Sequence, residues 1–429
     1  MKEIKFQKKL MRALFATLIL NLFLSAFQSG AHATSPTTEA FRAWINSFRA
    51  TAIESGIRPG VYDSLAQRII PDFSLPDLDF PSRATKEPGQ AEFVRTPDQY
   101  LDAKYLARLA EQGRSLYERH KATLEAIKER HGVDPYLLLA LWGRETAFGT
   151  YNLPFNALNV LATQAYAGRR KELFQKQFLY ALRMVQDGII APGDMKSSWA
   201  GAMGLAQFMP EDYYNYAVDQ DGDGKKDIWH SVPDALASLA NNLKHKGWDK
   251  TQPWGLEVQA PSTVDCSLGY LDIRKPVSEW AAMGIMPVNG GTFPAQTLTW
   301  EASLLQPAGI FGPAFLTFQN FQVIREYNKS DLYALFVGDL ADRIRAKGGF
   351  RRPWQKVVQV STADVEFMQK QLTALGLYSD TIDGKAGGRT RSAAGVYQKR
   401  AGLPQTCWPT AALIAHIKAH ANGRSAAAK

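Results

Sequence analysis

Cysteine is nearly absent: Cys266 and Cys407 are the only two in 429 residues, and they lie far apart in the chain. That scarcity excludes a disulfide framework, a cysteine-rich zinc module and an iron–sulfur cluster. A disulfide between the two in an oxidising compartment and a pair of separate buried thiols are both open at this level. The seven histidines contain no His-Glu-x-x-His pair, which removes that helical zinc-hydrolase pattern. Bilayer-spanning apolar runs are missing too. The N-terminal run, residues 13–27, is interrupted by Asn21 and falls short of the ~18 to 20 residues needed to cross a membrane, so no membrane span is expected. Strand-like alternation is scarce, limited to residues 256–258, 296–300 and 322–325. Lysines and arginines are dispersed and carry no recognised nucleic-acid motif, so no nucleic-acid partner is expected.

What is present is an ordinary globular composition, 45% hydrophobic and 21% charged, with length for two or three domains. Lys2, Lys5, Lys8, Lys9 and Arg12 precede the N-terminal apolar run, and Ala31-His32-Ala33 follows it with small residues where a signal peptidase reads. The expectation is an export signal over residues 1–33, cleaved near Ala33 and lacking a lipoprotein cysteine, hence a periplasmic protein. Its removal takes away five positive charges and one negative, so the net charge of +9 falls to +5. A mildly basic exported protein suits an anionic envelope polymer.

Helical spacing dominates the rest. Phe41, Trp44, Ile45, Phe48 and Ile53 share one face before Gly56 and Pro59-Gly60 interrupt it. A proline-rich stretch at 71–97 reads as an extended connection, and helical patterns return over 100–130, 135–148, 171–186, 234–245 and 331–346. The main domain, residues 34–346, is therefore expected to be mainly α with minor β. Residues 347–357 read as a linker, 358–421 as a small helical module, and 422–429 as a flexible tail.

Three segments carry possible chemistry. Asp134-Pro135 starts a helix that Gly149 is placed to end, and its interior from Leu137 to Trp142 is apolar on every side, as in a buried helix. Glu145 at its end would be desolvated, which favours the protonated form a general acid requires; a structural glutamate held by Arg144 is the competing reading. The run Ser198-Trp199-Ala200-Gly201-Ala202-Met203-Gly204-Leu205-Ala206-Gln207 is small enough for close approach by a ligand or by another helix, with Ser198 and Gln207 as its polar groups. Asp219, Asp221, Asp223 and Gly224 follow calcium-loop spacing, but His230 stands where a closing glutamate belongs, leaving Asp234 to close the site. The expected ligand set is Asp219, Asp221, Asp223, Lys225 and Asp234 around a single, structural calcium ion.

Together, Trp142-Gly143-Arg144-Glu145-Thr146, the stretch 200–210 and the Asp-rich loop resemble the membrane-bound lytic transglycosylase B family of peptidoglycan-cleaving enzymes. The match extends through Asn159-Val160-Leu161-Ala162-Thr163, Arg169-Arg170 and Tyr327-Asn328-Lys329-Ser330-Asp331-Leu332-Tyr333-Ala334. The resemblance implies a lysozyme-like fold with Glu145 as catalytic acid/base. It places Ser198, Gln207, Arg169, Arg170, Tyr327, Asn328 and Tyr333 along a groove for peptidoglycan glycan strands. Asn242 stands where the family often has a tyrosine, and the run from Trp229 to Asp234 is one residue longer than usual. The C-terminal module resembles the three-helix peptidoglycan-binding domain through Val365, Gln369, Leu372, Asp383-Gly384, Thr390-Arg391 and Tyr397-Gln398. The implied reaction is non-hydrolytic cleavage of the β-1,4 bond between N-acetylmuramic acid and N-acetylglucosamine, giving 1,6-anhydromuramyl ends, by a monomer with no organic cofactor. The alternatives are a hydrolytic muramidase using the same glutamate and a non-catalytic peptidoglycan-binding protein.

Overall fold

The computed structural model describes residues 37–79 and 95–427. The expected export signal lies outside the described residues, as does most of the proline-rich connection. The chain divides into two compact units, one running to Pro88 and resuming over Glu145–Asn242, the other comprising Gly89–Arg144 and Leu243–Lys429.

In the first unit, helix Thr38–Glu54 is capped by the Thr37 hydroxyl, which accepts from the Ala40 N–H, and it buries Phe41, Ile45, Phe48 and Ala52. Phe41, Ile45 and Phe48 are positions the 3.6-residue period marked, while Trp44 and Ile53, also marked, are half-buried and Ala52 takes the next core position. Trp44 lies against Phe41, Phe48 and Tyr166 with ring centroids 5.1 to 5.7 Å apart. Helices Ala157–Ala167 and Lys171–Gln186 form the centre of this unit, and both bury most of their length. The described part of the proline-rich connection is no loose strap. Leu75 and Leu78 are buried against Val160 and Ala167, and the motif residues Asn159 and Thr163, with Gln164 beside them, hydrogen-bond the backbone of residues 70, 72 and 76.

In the second unit, the helical pattern expected over 100–130 is broken at His120 into Ala103–Arg119 and Lys121–His131. A five-stranded antiparallel sheet runs in the order Lys275–Pro276, Glu301–Leu305, Ala314–Thr317, Gly255–Gln259, Met286–Pro287. Trp280, Leu304, Leu316 and Phe318 centre its core. Two sequence expectations fail here. Residues 322–325 lie inside helix Gln319–Tyr327, and 296–300 hold a 3-10 turn, Ala295–Thr297. The strands themselves, Glu301–Leu305 and Ala314–Thr317, are buried on both faces, so they show no alternation to read.

The C-terminal module packs helices Thr362–Ala374, Gly388–Arg400 and Ala411–Ala427 around Val365, Met368, Leu372, Tyr397, Leu413 and Ile417. The last helix continues to Ala427, past the expected end at 421. Residues 347–357 are anchored rather than free: Phe350 packs on Trp254 and Phe315, and Glu257 accepts the N–H groups of Arg351 and Arg352, each at 2.8 Å. Cys266 and Cys407 form a disulfide across 141 residues, joining the module to the sheet. Ser392 donates to the Ser267 carbonyl and Lys399 pairs with Asp265 beside it.

Candidate active site

Glu145 sits in the last turn of helix Pro135–Thr146. Asp134 accepts the Tyr136 N–H at 3.1 Å, so the expected cap is in place, and Leu137 to Trp142 are at most 4% exposed. After Thr146 the chain passes through three successive left-handed residues, Ala147, Phe148 and Gly149, with φ of 47, 59 and 78°. Only the glycine adopts that conformation without cost, so two non-glycine residues store strain directly after the candidate acid. The Thr146 hydroxyl holds the turn by accepting the Gly149 N–H and donating to the Leu205 carbonyl. Glu145 is half-buried. Arg144 precedes it in the same turn. Its guanidinium donates to the Tyr100 hydroxyl at 2.7 Å and lies 5.1 to 5.7 Å from the ring centres of Tyr100, Tyr333 and Phe336.

The small-residue run proves to be a loop rather than a helix-packing segment. Ser198 closes a turn by accepting the Ala202 N–H, while Ser197 and Phe208 both bridge to Met203. Gly201 and Gly204 are both left-handed, and an added Cβ would lie 2.4 Å from Leu161 and 2.6 Å from the Ile228 carbonyl. The close approach that requires glycine is therefore made by the protein's own chain. Gln207 adopts φ 51° and donates to the Gly204 carbonyl. A cavity of about 160 Å³ in this unit is lined by Thr146, Tyr151, Lys196, Leu205, Trp229 and His230. Sequence reasoning missed these lining residues. The signal available was Tyr151, a large aromatic that is 58% exposed.

Arg170 forks onto Asp77 with contacts of 2.9 and 3.1 Å and lies over Phe174, so it fastens the 71–79 segment; its neighbour Arg169 is exposed and takes the Asp77 carbonyl through its N–H. In the second unit, Tyr327 ends its helix with the Lys246 ammonium 5.5 Å from its ring centre, and Asn328 is the C-cap. Tyr333 is only 2% exposed, so it supports Arg144 rather than presenting a stacking face. Ser330 in the same motif is a helix cap, accepting the Tyr333 N–H.

Asp219, Asp221 and Asp223 converge with carboxylate oxygens within 4.8 Å of one another. Three like charges so close repel unless a cation lies between them, and oxygen-only donors suit a hard divalent ion. Asp234 does not join that cluster. It is fully buried, and its two oxygens accept the N–H groups of Gln220, Asp221 and Asp227 at 2.7, 3.4 and 2.8 Å, fixing the loop from behind. Burial raises its pKa while those bonds lower it, and burial pushes the neighbouring Tyr213 phenol up to about 12.

A buried helix ending in a half-buried glutamate, set in a mainly helical lysozyme-like domain with an appended three-helix module, defines a peptidoglycan lytic transglycosylase. The chain belongs to the transglycosylase SLT domain family, which it matches over residues 40–342, and residues 361–417 match a putative peptidoglycan binding domain. It is 30% identical to membrane-bound lytic murein transglycosylase B of Escherichia coli over 289 residues, 66% of this chain and 76% of that protein. Among solved structures, SltB3 of Pseudomonas aeruginosa in complex with NAG-anhNAM-pentapeptide is 41% identical with a TM-score of 0.79, covering 88% of this chain and 99% of that one. Escherichia coli Slt35 in complex with calcium is 25% identical with a TM-score of 0.53, covering 75% and 96%. Among the described residues, no helix is long and apolar enough to cross a membrane.

Proposed function

We propose that Glu145 is the acid/base of a non-hydrolytic cleavage of peptidoglycan glycan strands. The observation that carries this is its placement: one carboxylate, half-buried at the end of an apolar helix, followed at once by a strained turn and a cavity at Thr146. Ordinary glycosidases flank the bond with two carboxylates. With one, the substrate supplies the second group. Protonated Glu145 donates to the β-1,4 oxygen between N-acetylmuramic acid and N-acetylglucosamine as that bond breaks, and the muramyl N-acetyl oxygen stabilises the developing oxocarbenium ion. Ionised Glu145 then takes the proton of the muramyl 6-hydroxyl while that oxygen bonds to the anomeric carbon. The product is a 1,6-anhydromuramyl end, the carboxyl is protonated again, and no water is consumed. The anhydro sugar held by SltB3 supports this product. Ser198, Gln207, Arg169, Arg170, Tyr327 and Asn328 belong to the groove motifs, with Arg170 and Ser198 acting through the loops they fasten and Tyr333 through Arg144.

Calcium at Asp219, Asp221 and Asp223, with Lys225 as a further expected ligand, would hold the loop that supplies Trp229 and His230 to the cavity. Slt35 bound to calcium supports the choice of ion. The N-terminal pattern supports a periplasmic location after cleavage near Ala33.

Mass spectrometry of purified sacculi digested with residues 34–429, beside the Glu145→Gln variant, tests the assignment. Anhydromuramyl ends from the wild type, reduced at least about 10³-fold in the variant, are expected; this substitution keeps the shape but cannot cycle a proton. Reducing ends would make the protein a hydrolase, and binding without release would make it a wall-binding protein.

A further inference from the structure

A cavity of about 140 Å³ lies in the second unit where helix Gly388–Arg400 of the C-terminal module meets the turn before helix Asp331–Ile344. Its lining carries four cations, Arg95, Arg325, Lys329 and Arg391, against a single carboxylate, Asp331. Asp331 is already engaged, with Arg325 Nε at 2.9 Å from its Oδ1, and Lys329 pairs with Glu326 outside the lining at 2.5 Å. Arg391 is 7% exposed. Its Nη1 donates to the Ala386 carbonyl at 2.7 Å, Nη2 stops 3.7 Å from Asp331, and neither Nε nor Nη2 makes a hydrogen bond.

A buried guanidinium with two unspent donor groups is costly unless an anion completes it. Burial pushes its pKa down, opposed only by Asp331. The helix start adds to the same field. Gly387 is the cap residue and offers no side chain, the first turn carries no acid, and a Cβ on Gly387 would meet nothing within 4 Å. The positive end of a 13-residue helix thus opens beside Arg391, with Asp331, already bound to Arg325, as the one carboxylate of the lining near both.

We infer that this cavity is a carboxylate-binding site for the free C-terminus of a short peptide ending in a small residue. The unspent Nε–Nη2 edge of Arg391 is a guanidinium fork, which matches a planar carboxylate better than it matches a spherical ion. Leu332 and Trp408 line the same space and suit a methyl group beside the charge, and the volume admits little more. The inference rests on the proposed function, taking the substrate to carry a peptide as the NAG-anhNAM-pentapeptide held by SltB3 does, and it gives the module a chemical basis for favouring glycan that bears such peptides. The module is fixed to the rest of this unit by the 266–407 disulfide, so the two walls of the cavity stay together.

Calorimetry on the full chain tests it with three probes: acetyl-Lys-D-Ala-D-Ala, its C-terminal amide, and inorganic phosphate. The acid should bind at least tenfold more tightly than the amide and than phosphate. Arg391→Met should abolish that preference, and the surface change Lys329→Ala should weaken acid binding several-fold with an unchanged melting temperature, which separates the effect from misfolding. Both variants should keep wild-type release of anhydro ends from stem-free glycan strands. That second assay reads Glu145 alone, so its failure in the wild type would strike the proposed function and leave the cavity intact. Equal affinity for acid and amide, tighter binding of phosphate, or unaltered acid binding by both variants would overturn the inference.

Discussion

The Asp-rich loop and the centre of the C-terminal module are both short polar motifs containing Asp-Gly, and they use their polar atoms in opposite ways. In the module, Gln369 is fully buried. Its amide nitrogen lies within 3.0 to 3.2 Å of Asp383, Lys385, Thr390 and Tyr378, and its carbonyl accepts the Asp383 and Gly384 N–H groups. That motif is satisfied within the chain. In the loop, Asp219, Asp221 and Asp223 each accept a loop N–H, yet their carboxylates converge near the surface with Asp221 and Asp223 exposed, whereas Asp234 is buried behind them on backbone N–H groups. The first motif explains its own residues as fold; the second leaves charges that need something from outside. Arg391 belongs with the second kind.

The largest expected effect that would sharpen this contrast concerns how the self-satisfied module is held. Replacing both Cys266 and Cys407 with serine should cost about 5 kcal/mol on the loop-entropy account for a closure of 141 residues. Calorimetric melting should then show the module separating as an earlier transition. A single unshifted transition would mean that the anchored 347–357 segment suffices. Next, Gln369→Ala should cost about 2 to 4 kcal/mol, because several buried partners lose their hydrogen bonds at once. Denaturant melts would report it, and calcium should not restore the loss. Smaller again is the metal. Added calcium should raise the melting midpoint by an amount equivalent to up to about 3 kcal/mol at a hundredfold excess over its dissociation constant. Asp219→Asn with Asp221→Asn should remove that shift, and a midpoint indifferent to chelator would place the loop with the self-satisfied motif instead.

Much of this was readable before any coordinates. Helix Lys171–Gln186 has the bounds its period marked, and Asp134 caps the start of the Glu145 helix as expected, but that helix ends at Thr146, where left-handed Ala147 and Phe148 stop it before Gly149. What sequence could not supply was where polar atoms are spent. Arg170 is a groove residue by motif and a clamp on Asp77 by geometry; Asp234 is a metal ligand by motif and a backbone acceptor by geometry. The doubly buried strands were silent because a strand covered on both faces has no period-two signal. The pairing of Cys266 with Cys407 depends on a module-to-sheet contact that no local pattern encodes.

The most direct test of the central claim is whether water enters the product. Sacculi digested by the protein in H₂¹⁸O should yield glycan ends carrying no ¹⁸O, because the muramyl 6-hydroxyl and not solvent attacks the anomeric carbon. Incorporation of one ¹⁸O per new end would contradict the account and make the Glu145 reaction a hydrolysis.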